Sequence, residues 1–260
     1  IDASALLANP GGTHVIKPRR YRTLALDMVG LRTLLARAPM EFTAAAKSGR
    51  IEVSLPKPDG TFARFLTEES PIMEAGLAAK FPLIKTYRAQ GVDDPAATAR
   101  FGITPYGFHA IVLSPSGAYY IDPFRHGDAV NHVSYFKVDY PRTAEHNFEC
   151  LVQGPNAKGS EGLSVESASA FAATRPNGDT LRTYRLALAA TFEYSDFHSD
   201  AAPFPDKAEV MAQGIIPAVN RVTGIYEREV AVHLTLVANN DLIIFNTPAD
   251  PYVNDQGTTM

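Results

Sequence analysis

The chain has 260 residues, of which 45% are hydrophobic and 20% charged, and its formal net charge is −4 at pH 7. This composition is typical of folded globular proteins and excludes a largely disordered chain. No apolar run approaches the ~20 residues that a membrane-spanning helix needs. The pI near 6.0 argues against general binding to nucleic acid, and the single cysteine excludes a disulfide within the chain.

The charge is distributed unequally along the chain. Residues 1–180 contain 19 Lys and Arg against 18 Asp and Glu, a net of +1, whereas residues 181–260 contain 5 against 10, a net of −5. This difference suggests two regions that could face each other, although a chance fluctuation explains it equally well. The first residues lack the basic and apolar stretches of a secretory signal, so the chain is either cytosolic or the trimmed form of an exported protein.

The first elements in chain order predict a β-rich region. Asp27 is placed to cap a helix in which Leu31, Leu34 and Leu35 share one face, and Pro39 ends it. Residues 50–55 alternate between polar and apolar, and a Pro-Asp-Gly turn at 58–60 leads to a second strand at 62–65. Further strands are predicted at 83–87, 107–113, 118–123 and 133–138, with a loop and a short helical turn at 93–100. Together they predict an antiparallel, β-rich domain within residues 1–153.

The composition then changes at Gly154. Residues 154–180 are rich in Gly, Ser, Ala and Pro and hold few large apolar side chains. This pattern predicts a linker that is accessible to proteases.

The last region, residues 181–260, predicts a strand, a long helix and a second strand. The first strand is expected at 183–191 and is apolar enough to be mostly buried. Asp206 is the expected N-cap of the helix, Glu209 completes a capping box, and Pro217 should bend the helix. Strands at 230–237 and 242–245 follow, which predicts a βαβ unit with a parallel pair. So small a sheet cannot bury both of its faces, so one face needs a cover.

Three stretches in this region, 183–194, 219–229 and 232–240, resemble the start of the catalytic domain in bacterial reprolysin-like zinc metallopeptidases, a branch of the metzincins. The most specific piece is the run N-R-V-x-G-I-Y-E-R at 220–228, on the predicted helix. The preceding β-rich region, with its segments 93–99 and 119–123, resembles the propeptide of these enzymes. Almost the whole chain is covered by the resemblance.

The resemblance implies an α+β fold, in which an antiparallel β-rich prodomain precedes the first βαβ part of a metzincin α/β catalytic domain. Residues 1–153 would be the propeptide, 154–180 a linker with the processing site, and 181–260 an incomplete catalytic domain. The implied protein is a secreted zymogen whose prodomain inhibits the endopeptidase and assists its folding. Its partners would be the remainder of the catalytic domain, which could be a separate nicked chain, and protein or peptide substrates, without nucleic acid or membrane.

The zinc motif of the family, H-E-x-x-H-x-x-G-x-x-H, is absent from the sequence. Two of its histidines must stand four positions apart so that both imidazoles face one metal, and no two histidines here do so. The seven are His14, His109, His126, His132, His146, His198 and His233. We therefore expect no catalytic residue in this chain. The motif, and the Zn²⁺ of the complete enzyme, are expected beyond Met260.

Cys150 is the candidate metal ligand of the propeptide. In many metzincin zymogens a propeptide thiolate binds the zinc and displaces the catalytic water. The position of Cys150 near the end of the predicted prodomain fits that role, whereas its neighbours differ from the better-known Cys-Gly motifs. The alternative is a small buried apolar residue at the end of a strand.

Other polar clusters have simpler interpretations. His126 and His132 lie near Asp122 and Asp128, but their irregular spacing favours a polar surface loop over a metal site. The two adjacent aspartates at 93–94, before a proline, favour a capped turn over an ion site.

Two segments late in the chain are expected to have structural rather than functional roles. Glu227-Arg228-Glu229 is expected to be a solvated helix end. His233 is expected to be a packed or surface residue of a strand.

Two rival functions remain open. The first is a non-catalytic β-rich module that binds a ligand or partner. The second is a cytosolic protein whose βαβ unit binds a nucleotide, which is weakly supported because no Gly-rich loop follows the strand that ends at Thr191.

Overall fold

A computed structural model describes residues 16–140 and 180–252 of the chain. This part is an α+β structure with an eight-stranded antiparallel sheet, a two-stranded parallel sheet and several short helices. Within these residues no helix is both long enough and apolar enough to cross a membrane. Nearly all of the predicted linker lies outside the described residues.

The elements have the following bounds. The large sheet contains β1 (Arg22–Ala25), β2 (Ile51–Pro56), β3 (Phe62–Glu69), β4 (Lys85–Gly91), β5 (Thr98–Thr104), β6 (Gly107–Leu113), β7 (Tyr119–Pro123) and β8 (Asn131–Phe136), and the small sheet contains β9 (Arg182–Leu186) and β10 (Val232–Leu236). The α-helices are α1 (Met28–Leu35), α2 (Ala44–Ser48), α3 (Ala75–Lys80), α4 (Phe192–Phe197), α5 (Lys207–Glu209) and α6 (Ile216–Val230). A π-helical segment, Val210–Ile215, joins α5 to α6. Lys137–Asp139 and Asn240–Ile243 are 3₁₀ turns.

The large sheet runs in the order β1-β8-β7-β6-β5-β4-β3-β2, so that β2 to β8 form a continuous meander. It curls until its two ends approach each other. The guanidinium of Arg22 on β1 donates to the carbonyls of Lys57 and Thr61, beside β2, at 3.2 and 3.0 Å. The hydroxyl of Ser134 on β8 donates to the carbonyl of Pro56 at 2.9 Å.

The enclosed face of the sheet carries the first hydrophobic core. Phe65 and Phe101 are almost completely buried there. The ring of Phe101 lies 5.4 Å from Tyr87 and 5.5 Å from Phe108, at distances where aromatic pairs add to the stability gained by burial. Helix α1 packs on the same core, mainly through Leu35.

Helix α6 covers the opposite face of β5 and β6. On β5, Phe101 and Ile103 point into the core, whereas Arg100 and Gly102 face the helix. Both faces of the two central strands are therefore buried.

A second hydrophobic core is shared between the residues that precede the predicted linker and those that follow it. Ile72, Leu77 and Ile84 come from the earlier part, and they pack with Met211 and Leu236 from the later part. Ile216 and Val219 of α6 and Leu236 of β10 therefore belong to the same core as residues of the β-rich part.

Strands β9 and β10 form the predicted parallel pair, with Arg182 opposite Val232 and Leu186 opposite Leu236. The other edge of β10 is bound by the earlier part of the chain, because the Leu236 N–H donates to the Ile72 carbonyl at 2.8 Å. Among the described residues, β9 has no strand partner on its other edge.

Two helix caps confirm the sequence-based predictions. The Asp27 carboxylate accepts a hydrogen bond from the Gly30 N–H at 2.9 Å, and α1 follows it. The Asp206 carboxylate accepts one from the Ala208 N–H at 2.6 Å at the start of α5. The antiparallel strands around the 58–60 turn and from 107 to 136 are confirmed as well. The division into domains stays a prediction.

Four predictions about local structure differ from what is found. Residues 98–100 belong to β5 and not to a loop. Strand β9 is largely exposed rather than buried, and in the described part no strand pairs with its outer edge. Residues 240–243 form a 3₁₀ turn where a third strand was expected, with a single bridge from Ile244 to Ala190. A bend was expected at Pro217, whereas the helix departs from α-helical geometry in the π-helical segment just before this residue.

The expected capping box is only half formed. The carboxylate of Glu209 accepts from the hydroxyl of Ser199 at 2.6 Å and from the Asp200 N–H at 2.9 Å, and not from the Asp206 N–H. The Asp206 N–H donates to Ser199 instead.

Candidate functional site

Two ion pairs fasten α6 to the outer face of the large sheet, and we call these contacts the α6 interface. Near the end of the helix, Glu227 pairs with Arg100 of β5. One and a half turns earlier, Arg221 pairs with Asp122 of β7. Both pairs join residues about a hundred or more positions apart in the sequence.

Arg100 lies at the centre of the first contact and is 3% exposed. Its guanidinium donates to both carboxylate oxygens of Glu227, at 2.5 and 3.0 Å. Further bonds reach the hydroxyl of Ser70 at 2.8 Å and the side-chain carbonyl of Asn220 at 3.2 Å. The buried cation therefore has partners on the sheet and on the helix, which is the condition under which a buried ion pair is tolerated.

Glu227 is held in its charged form by these neighbours. Burial acts to raise the pKa of the Glu227 carboxyl, but the hydrogen bond from His233 and the charge of Arg100 outweigh it, so the pKa lies below the usual range. Nδ1 of His233 lies 2.7 Å from the Glu227 carboxylate and links β10 to the same contact.

The helix can approach Arg100 closely because residue 224 is glycine. A Cβ atom on Gly224 would lie 3.0 Å from Cγ of Arg100. A larger side chain would push the stem of Arg100 away and pull its guanidinium out of register with Glu227.

The second contact is built around Asp122, which is fully buried. Its carboxylate accepts hydrogen bonds from the guanidinium of Arg221, from Nδ1 of His109 at 2.9 Å and from the hydroxyl of Tyr135 at 2.8 Å. Burial acts to raise the pKa of Asp122, but the Arg221 charge and the His109 bond outweigh it, so the pKa lies below the usual range. Asp122 is therefore ionised and can only accept.

His109 is neutral in this arrangement. Its Nδ1 must carry the hydrogen that it donates to Asp122, and burial lowers the pKa of the ring despite the nearby carboxylate. Its Nε2 is buried and has no hydrogen-bond partner in the described part of the chain.

A cleft of about 250 Å³ opens beside this contact, between β6, the turn after β7, α4 and the π-helical segment. We call it the histidine cleft, because His109, His126 and His198 line it. The rings of His126 and His198 are 5.7 Å apart, and Tyr194 and Phe197 lie 4.5 and 4.9 Å from His198. His126 belongs to the part before the predicted linker and His198 to the part after it, so the cleft spans the contact between them.

Burial lowers the pKa of His198 to about 4. Burial also lowers the pKa of His126. A Cβ atom at Gly214 would lie 2.8 Å from the ring of His198, so only glycine lets this ring pack against the π-helical segment.

The candidate zinc ligand Cys150 lies outside the described residues, and its role stays a prediction. Within residues 16–140 and 180–252, no three His, Cys, Asp or Glu side chains are placed to hold a metal ion together.

The interpretation of His126 and His132 as residues of a polar surface loop is wrong for His132, whereas Asp122 lies in a strand as predicted. Asp122 is buried in β7 and His132 in β8. The Nε2 atom of His132 accepts from the Phe108 N–H at 3.0 Å, and burial lowers the pKa of the ring to about 4. Asp122 and His132 can be buried although they are polar, because each has hydrogen-bond partners in the interior.

The interpretation of the helix end as solvated is wrong for Glu227, which binds Arg100, and is confirmed for Glu229, which is exposed. His233 is a packed strand residue, 5% exposed. The capped turn at residues 93–94 is confirmed, because Asp94 accepts from the Ala96 N–H at 3.0 Å.

Sequence reasoning missed Arg100, Asp122 and Arg221 as members of one site. The only local signal was a charged residue inside a stretch of apolar ones, as at Arg100 between Ala99 and Phe101. Chemically, these contacts hold α6 on the sheet through two ion pairs between charged side chains. The chain matches no protein-family model and no curated protein.

Proposed function

We propose that the chain is the N-terminal part of a secreted zinc metalloprotease zymogen. Residues 1–153 would form a propeptide that inhibits the endopeptidase and assists its folding, and residues 181–260 would begin the catalytic domain. The observation that carries this proposal is the α6 interface. The stretch of most specific resemblance, 220–228, contains Asn220, Arg221 and Glu227, and each of these side chains is bonded to the β-rich part.

The order of elements after the linker supports the proposal. A strand, a helix and a parallel strand are the expected beginning of an α/β domain, and β9, α6 and β10 supply them. In the described part of the chain the outer edge of β9 is unpaired. The unpaired backbone N–H and C=O groups of such an edge can form hydrogen bonds with a further strand.

The outward face of α6 supports the proposal in a second way. Val222, Ile225 and Tyr226 form an apolar stripe along it, and between 38% and 45% of each residue is exposed. Apolar residues at this spacing are typical of a buried helix face. We expect the remainder of the catalytic domain to cover this stripe and to extend the small sheet.

The shared core gives a physical reason for assisted folding. A sheet of two strands covered by one helix has little apolar surface to bury within itself, so its stability is marginal. Ile72 and Leu77 of the β-rich part complete the core under α6 and β10. The propeptide would thus hold the first helix of the catalytic domain in place until the rest of that domain has formed.

The described residues do not supply a zinc site, so the zinc ligands are expected in the remainder of the catalytic domain. Cys150 stays the one candidate ligand in this chain. No step of catalysis is assigned to any residue described.

The histidine cleft favours a second candidate function, a non-catalytic binding module. A cleft of about 250 Å³ with aromatic walls is near the lower end of the size of small-molecule sites. In that case the cleft, and not a downstream domain, would be the functional part.

Reading the coding sequence beyond Met260 and assaying its complete product would test the proposal. We expect an H-E-x-x-H motif, and peptidase activity that rises after cleavage within residues 154–180. A variant with Glu→Gln in that motif is the control and should be inactive before and after cleavage. A complete product without the motif, or one that stays inactive after cleavage, would contradict the proposal.

A further inference from the structure

The histidine cleft lies where the two parts of the chain meet, away from the ion pair of Arg100 and Glu227. His109 and His126 come from the β-rich part, and His198 follows α4 in the later part. We propose that acidification opens this contact, so that the histidine cleft is a pH-sensitive latch between the propeptide and the first part of the catalytic domain. Its role in zymogen latency rests on the proposed function, whereas the opening itself does not.

The geometry gives a protonated His198 almost no compensation. The His126 and His198 rings, 5.7 Å apart, face each other across the contact. Nδ1 of His198 is buried without a hydrogen-bond partner in the described residues, and Tyr194, Phe197 and Gly214 surround the ring. Two added charges would repel each other in a largely apolar setting.

The charged groups that face the cleft decide the order of protonation. Asp122 and Arg221 face His109 from β7 and α6, and their charges are already paired with each other. Asp200 and Glu209 attract a proton towards His126, although Glu209 already accepts two hydrogen bonds.

His198 has a different setting. Electrostatic repulsion from His126 and His109 disfavours a positive charge on the His198 ring. Tyr194, whose pKa burial raises to about 12, stays neutral beside it. Arg125 lies in the lining of the same cleft as a further positive charge. A proton on His126 therefore makes a second one on His198 still less favourable.

The sign of the pH dependence follows from these environments. A histidine whose pKa is lower in the closed contact than its ordinary value of about 6.5 takes up a proton when the contact opens. The contact has its full stability above about pH 6.5 and loses it as the pH falls towards 4, the approximate pKa of closed His198. At pH 5 the opening equilibrium should rise by roughly tenfold or more from His198 alone.

Opening should stay local. The pKa of Glu227 lies below its usual range, so its pair with Arg100 keeps its charge at pH 5 and still holds the end of α6. We expect residues 192–206 to open while the π-helical segment, which lies in the second core, and β5 and β6 stay closed.

Hydrogen–deuterium exchange of the 260-residue chain at pH 7.5 and pH 5.0, corrected for the intrinsic exchange rate, tests the latch. In the wild type, the opening equilibrium of residues 192–206 should rise about tenfold or more at pH 5.0, while peptides of 98–113 change little. In the double variant His126→Phe/His198→Phe, which keeps two rings and removes both titrating groups, the rise should be less than about threefold. Equal rises in both proteins, or no rise in the wild type, would overturn the proposal.

A second measurement covers the case in which the double variant does not fold. Titration of the histidine ring signals of the wild type by NMR should show that His198 takes up its proton well below pH 6. Uptake near pH 6.5 in the closed protein would refute the latch. Neither result depends on zinc or on residues beyond Met260, so a failure of the latch is distinguishable from a failure of the proposed function.

Discussion

Both carboxylate oxygens of Glu227 accept hydrogen bonds from the guanidinium of Arg100, although the two residues are 127 positions apart in the chain. The pair is buried between β5 and α6, and His233 holds the carboxylate from β10. One contact thereby connects the β-rich part with both α6 and β10, which follow the predicted linker.

Removing the charge of Glu227 should destabilise the protein strongly. Glu227→Gln leaves the guanidinium of Arg100 buried with only neutral partners, and breaking a buried pair in this way costs about 3 kcal/mol. Urea unfolding at pH 7.5 measures this change in free energy. Glu229→Gln is the matched control, because Glu229 is exposed at the same helix end, and it should change stability by less than about 0.5 kcal/mol. Equal small effects for the two variants would show that the pair contributes little.

Asp122→Asn should also destabilise the protein, because Asp122 is the acceptor for three buried donors. The amide keeps the shape but cannot accept from Arg221, His109 and Tyr135 at once, and the loss should be about 2–4 kcal/mol. Asp196→Asn, at an exposed position at the end of α4, is the control with no expected effect. Unchanged unfolding of the Asp122 variant would mean that the charge of this cluster is dispensable.

His132 should stay neutral well below pH 6. Its Nε2 accepts from the Phe108 N–H, so protonation would place two hydrogens between two nitrogens. With a folded pKa of about 4, against about 6.5 when unfolded, its contribution is complete above pH 6.5 and falls by on the order of 3 kcal/mol towards pH 4. The ¹⁵N shifts of the ring report the protonation state directly. A ring that is charged at pH 6 in the folded protein would contradict this prediction.

Sequence patterns predicted β2 and β6 close to their observed bounds, although only β2 has a face that meets solvent. β2 and β3 alternate in polarity because one side meets solvent, and the caps at Asp27 and Asp206 are local chemistry. β5 was missed although Ala99, Phe101 and Ile103 alternate with Arg100 and Gly102, because the Asp-Asp-Pro turn signal at 93–95 favoured a loop.

The site itself was less predictable than the fold. Its ion pairs join residues from distant parts of the chain, and no local pattern records such a pairing. The apolar neighbours of Arg100 suggest that it is buried but not that Glu227 is its partner, and only the sheet and the helix on its outer face bring the two together.

Cys150 can be tested although it lies outside the described residues. If its thiolate binds the zinc of the latent enzyme, Cys150→Ala in the complete precursor should raise the activity measured before propeptide cleavage, because water can then reach the metal. Activity after cleavage should stay the same, which is the internal control. Unchanged latency would remove Cys150 from the site.

The zinc content of the complete, folded product of the reading frame that contains this chain is the most direct test of the proposed zymogen. Elemental analysis after gel filtration should find about one zinc per chain, as a single tetrahedral catalytic site requires. A folded product that binds no zinc, even after dialysis against the metal, would contradict the assignment of this chain to a zinc metalloprotease precursor.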